Sequence, residues 1–169
     1  MQWMIDGAVL VALILIIYQD YSGRAVSWPA FPVLALLLTL KSMMKLPMDD
    51  LMTGVFINIT FIALQMGILM LYFSIKKSKL TGIIGPYLGW GDVLFLLCAA
   101  FAFSLLNFIV FYVAGLALAL ILAALQALTR TKRWDNIPLA GIQALLMAII
   151  LLTDHFLSEM DLFQGNLFY

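Results

Sequence analysis

Two aspartates stand where an acid is expensive. Asp20 follows a long apolar stretch. Asp92 opens another, in "GPYLGWGDVLFLL", residues 85–97. Ionisable groups at membrane depth are rare; they face a bundle interior or a wet cavity and tend to be functional. Two carboxylates brought together cannot both ionise easily, so such a pair holds one proton between its members. A shared proton suits peptide hydrolysis: the ionised member takes a proton from water while the protonated member polarises the carbonyl. The pair titrates as a unit, so acid and base are not assigned to one residue each. A plainer reading stays open beside this one. An Asp at the start of a helix is an ordinary N-cap that suits the helix dipole, and an Asp just past a helix is an ordinary interfacial charge.

The residues around the two acids fit either reading. Gly89 and Gly91 lack a Cβ, so backbone there can approach another chain closely or adopt positive φ. Arg24, four residues after Asp20, could hold that carboxylate, bind a lipid phosphate or serve as a topology anchor. Asp135 neighbours Arg133 in a polar loop and reads as a solvated charge. Cys98 is the only cysteine and His155 the only histidine. No disulfide within the chain and no zinc pair follow from that inventory, and neither a metal nor an organic cofactor is expected.

The elements that must position these residues are membrane helices. The 169 residues are 65% hydrophobic and 11% charged, against about 45–50% and about 25% in an ordinary soluble domain. Net charge is zero, so there is no basic face for nucleic acid. A spanning helix needs about 20 mostly apolar residues. Six segments are candidates: residues 3–19, 28–40, 51–75, 92–106, 108–128 and 138–156. The fourth and fifth divide an uncharged run from Val93 to Leu128, with the turn placed at Asn107. The opening "MQWMID" lacks the positive charge of a secretory signal and reads as the start of a retained first helix. Asn58 and Gln65, seven apart, share one face of the third segment and are expected to hydrogen-bond between helices. The expected fold is all-α: a polytopic membrane protein of about six transmembrane helices, residues 1–169 forming one domain.

Lys and Arg set the orientation. Arg24, Lys76, Lys77, Lys79, Arg130, Lys132 and Arg133 all fall in loops on one side of such a bundle, which is assigned to the cytoplasm. Lys41 and Lys45 fall on the other side, near Asp49 and Asp50. Asp20 and Asp92 then share the cytoplasmic membrane boundary.

Three segments together carry a family resemblance. "GWGD", Gly89 to Asp92, resembles the G-x-G-D signature of membrane aspartic peptidases. "DYSGRAVSWPAF", from Asp20, resembles the D-x-x-x-R-x-I/V segment of type IV prepilin peptidases. "NIPLAGIQALLMA", from Asn136, is similar to the I-P stretch that opens their last helix. The resemblance covers most of the chain. It implies that Asp20 and Asp92 are catalytic and that Gly89, Gly91 and Arg24 shape the site. It further implies cleavage of prepilin or pseudopilin leaders at the cytoplasmic face of the inner membrane. Such substrates carry a short basic leader followed by an apolar helix, which can lie in the bilayer beside the enzyme.

There are departures. Leu94 stands where many relatives have lysine, and Ser27-Trp28 where many have Pro-Asn. The cysteine-bearing methyltransferase domain of longer relatives has no counterpart in this sequence, so peptidase activity is expected without methylation. A rival reading is an inactive scaffold or assembly factor that binds pilin-like helices. A transporter with a carboxylate relay predicts acids deep in several helices, whereas Asp20 and Asp92 sit at one edge.

Overall fold

An apolar chain in hydrocarbon must satisfy its own backbone N–H and C=O groups, and a helix does so within one segment. The computed structural model describes residues 2–23, 26–77, 89–129 and 139–156. Among them the protein is all-α, with six helices in chain order: α1 (Gln2–Gly23), α2 (Ala30–Met43), α3 (Met48–Lys77), α4 (Trp90–Ala99), α5 (Leu105–Thr129) and α6 (Leu139–Phe156). Helices α1, α3 and α5 are long and apolar enough to cross a membrane; α2, α4 and α6 are shorter apolar helices. The chain is therefore a membrane protein. The core lies where α1, α2, α4, α5 and α6 meet, filled by side chains such as Leu13, Ile16, Leu34, Phe95, Phe108 and Met147. Large apolar side chains also cover the outside, Phe56 and Leu120 among them, as a lipid-facing surface requires.

Two boundaries differ from the sequence expectation. Helix α1 runs on to Gly23, so Asp20 lies on the helix rather than after it. Helix α4 stops at Ala99, and the turn falls at residues 100–104 instead of at Asn107, which is buried in the first turn of α5. At about 1.5 Å per residue, α4 rises only about 15 Å, half of a hydrocarbon core of about 30 Å. Non-helical backbone there must be satisfied by protein. The Asn58 amide of α3 donates to the carbonyls of Ala100 and Phe103 at 3.1 and 2.8 Å, and the Ser42 hydroxyl of α2 donates to that of Phe101 at 2.8 Å. These side chains allow the chain to turn so early. Gln65 also bridges helices, donating to the Tyr112 hydroxyl at 2.9 Å.

Lys41 and Lys45 find partners that the sequence did not indicate: Lys41 turns into the bundle, whereas Lys45 stays exposed. Lys41 Nζ lies 2.6 Å from Asp6 of α1 and 3.7 Å from Asp154 of α6, and Lys45 lies 3.6 Å from Asp154. Lys41, Asp6 and Asp154 are all buried. A cation among apolar helices is tolerable only when paired, and two carboxylates on neighbouring helices meet that need. Arg24, Lys79, Arg130, Lys132, Arg133 and Asp135 lie outside the described residues, as does the His155 side chain.

Candidate active site

The first turn of a helix leaves its leading N–H groups without intrahelical partners. At the start of α6 those donors meet the two aspartates. The Gly141 N–H donates to Asp20 Oδ2 at 2.5 Å. The preceding amide, that of Ala140, acts on the Asp92 carboxylate. The two acids are close enough for the charge of Asp20 to act on Asp92. Consecutive amides of one helix thus hold a carboxylate from α1 beside a carboxylate from α4. The partial positive charge of the α6 N-terminus favours anionic groups at this point.

Asp92 is held from its own helix as well. It sits in the first turn of α4, and its Oδ2 accepts the backbone N–H of Gly89, the N-cap residue, at 3.2 Å. The sequence offered close approach or positive φ as reasons for glycine here. Gly89 has φ −66° and ψ 143°, extended backbone open to any residue, so space is the operative constraint. A Cβ on Gly89 would stand 3.0 Å from Asp92 Oδ2. Gly91 carries less: a Cβ there would make an ordinary 3.8 Å contact with the Phe31 ring. Asp20 is 9% exposed and Asp92 is half-buried, so the pair is set into the helix bundle and reachable at the Asp92 side.

Gly141 is the residue that the sequence reading passed over. A Cβ on it would come within 3.0 Å of Asp20 Oδ2 and 3.4 Å of Asp20 Cβ. The tightest of them is with the carboxylate oxygen, which the Gly141 N–H itself holds in place. The signal was present: a glycine in the first turn of a helix that follows a proline. Gln143, also unremarked, is fully buried, and neither end of its amide has a hydrogen-bond partner among the described residues. It packs against Gly115 of α5, where a Cβ would meet Gln143 Cγ at 3.0 Å.

Of the sequence candidates, Asp20, Asp92 and Gly89 come together, Gly91 lies one residue from Asp92, and Arg24 falls outside the described residues. No group of three or more His, Cys, Asp or Glu able to hold a metal occurs among the described residues. No protein-family model, curated protein or solved structure matches this chain.

Proposed function

We propose that this protein is a membrane aspartic endopeptidase that removes the leader of prepilin-like or pseudopilin substrates at the cytoplasmic face of the inner membrane. One observation carries the reading: Asp20 and Asp92, remote in sequence, converge on adjacent amides at the start of α6. The excess of Lys and Arg in the sequence segments that would lie at that end supports a cytoplasmic orientation for it.

In this reading the pair holds one proton. The ionised carboxylate takes a proton from water as the water oxygen attacks the peptide carbonyl carbon. The protonated carboxyl donates to the carbonyl oxygen, so a neutral tetrahedral adduct forms. Its collapse breaks the C–N bond: one hydroxyl of the adduct returns its proton to the ionised carboxylate as the carbonyl re-forms, the leaving amine takes a proton from the other carboxyl, and the pair again holds one proton. The amides of Ala140 and Gly141 serve orientation: they fix the carboxyl groups before substrate arrives, which lowers the cost of assembling the reacting geometry.

The test uses purified protein and a peptide with a basic leader and an apolar helix. The wild type cuts at their junction, and both Asp20→Asn and Asp92→Asn lose cutting while still folding. A wild type that binds the peptide and never cuts it sinks the peptidase reading. That outcome favours the second reading, a scaffold whose aspartates merely cap α4 and pin α1 to α6. Leu94, apolar where many members of the resembled family carry a cation, is the residue that favours this alternative.

A further inference from the structure

Gln143 lies three residues beyond Ala140, the residue whose amide acts on the Asp92 carboxylate. Positions three apart on a helix are neighbours, with about 5–6 Å between Cβ atoms. Helical Cα–Cβ bonds tilt toward the helix N-terminus, which on α6 is the end that holds the acid pair. Gln143 is fully buried, and neither its Oε1 nor its Nε2 has a hydrogen-bond partner among the described residues. Polar side chains are tolerable between membrane helices when they bond across the interface. Gln65 of α3 does so, donating to the Tyr112 hydroxyl of α5. Gln143 carries the same amide and has no such bond.

The α5 wall beside it breaks a second rule. Gly115 is buried in the middle of α5, where glycine forms helix less well than alanine. A Cβ there would stand 3.0 Å from Gln143 Cγ and 3.5 Å from its Nε2, so the glycine leaves room for this side chain. A stranded amide and a helix-weakening glycine thus meet one turn from the acid pair. Local choices that oppose stability tend to collect at functional sites. The amide itself defines the missing partner. It offers N–H donors and one carbonyl acceptor, and a peptide group presents the complementary C=O and N–H. A peptide opened around the bond to be cut exposes such groups, which at membrane depth only protein can satisfy.

We infer that Gln143 is a substrate-binding residue whose amide pairs with a backbone peptide group beside the bond that Asp20 and Asp92 attack, an assignment that rests on the peptidase reading. In the resting protein α5 covers the amide, so an entering peptide displaces part of the α5–α6 contact and supplies the bonds that the bundle withholds. A lipid tail has no group to offer and gains nothing there. The stranded amide therefore favours a peptide over lipid without reading its side chains, because leaving a buried polar group unpaired is the larger cost.

The experiment uses the full chain in lipid vesicles and the peptide of the cleavage assay. A set of analogues replaces one backbone N–H at a time, on either side of the cleaved bond, with an ester oxygen. Gln143→Met keeps the length of the side chain and removes the amide. Its unfolding midpoint is expected to equal or exceed that of the wild type, since the resting protein loses no bond. Its kcat/KM on the all-amide peptide is expected to fall about tenfold, equivalent to about 1.4 kcal/mol. One ester position is expected to cost the wild type a similar factor and Gln143→Met little, so the two losses do not add. Unchanged cutting by Gln143→Met overturns the assignment. Losses that add at every ester position also overturn it, because they mark a packing role or a resident water. A lowered midpoint, or failure of both Gln143→Met and Gln143→Leu to fold, shows a partner within the fold and overturns it too. None of these results touches the roles of Asp20 and Asp92. Where the wild type cuts no peptide, the peptidase reading fails by itself. The affinities of labelled amide and ester peptides for wild type and Gln143→Met then decide whether the amide meets a peptide backbone, and equal affinities overturn it.

Discussion

At the scale of single residues, the candidate site depends on how little room surrounds two carboxyl groups. Gly141 gives the sharpest case. A methyl group there would press on Asp20 Oδ2 and come up against Asp20 Cβ, so Gly141→Ala must turn the carboxylate aside or ease α6 away from α1. Overpacking of this kind costs about 1–3 kcal/mol. The expected outcome is a lowered midpoint of thermal unfolding in detergent together with loss of peptide cutting. Gly91→Ala offers the contrast. Its added methyl makes only an ordinary contact with Phe31, and both stability and cutting are expected to stay close to wild type. Within the G-x-G-D pattern the first glycine is then the demanding one, because its own N–H and its missing Cβ both face Asp92. A cleavage assay comparing Gly89→Ala with Gly91→Ala tests that order, with Gly89→Ala the more damaging.

At the scale of elements, the early end of α4 decides where Asp92 stands. Residues 100–104 return the chain after about 15 Å of helix, and three of their carbonyls are taken up by Asn58 and Ser42. Removing the Asn58 amide strands the carbonyls of Ala100 and Phe103 in a dry interior. An unsatisfied buried acceptor costs about 1–3 kcal/mol. Asn58→Leu is therefore expected to destabilise the protein more than Ser42→Ala, which strands one carbonyl. Thermal unfolding of both variants in the same detergent checks the ranking. The effect on cutting is expected to be secondary, since neither side chain is among the residues that hold the acid pair.

Across the whole molecule, α1 and α6 form an antiparallel pair tied at both ends. Gly141 holds Asp20 at one end, and Lys41 draws Asp6 and Asp154 together at the other. From Asp6 to Asp20 is about 21 Å along α1, so the ion network and the acid pair are two separate polar centres joined by apolar packing. Breaking a buried ion pair by removing one partner costs about 3–5 kcal/mol, because the remaining charges lose their compensation. Lys41→Met is expected to show a loss of that size, measured by thermal or denaturant unfolding. Restoring neutrality in the double variant Asp6→Asn, Lys41→Met, which leaves Asp154 beside Lys45, is expected to recover a large part of it. Preserved cutting in the recovered double variant would mark the network as a brace; a permanent loss of cutting would show that it reaches the acid pair.

Much of this architecture is local and was legible in one dimension. Long uncharged runs, broken by lysines, arginines and glycines, announce apolar helices, because backbone without water must bond to itself. Asp20 and Asp92 drew attention for the same reason: a carboxylate touching an apolar run is costly and needs an explanation. Partnership is a different matter. Helices that are apolar on nearly every side show no amphipathic stripe, so nothing along the chain tells which face meets which neighbour. Only the folded structure decided that Lys41 turns to Asp6 and Asp154, that Asn58 closes the turn after Ala99, and that α6 presents Ala140 and Gly141 to both acids. Hydropathy is a sum over neighbours in sequence, whereas each of those contacts joins residues far apart in the chain, and in a bilayer their pairing is selected by packing and by the cost of leaving a polar group alone.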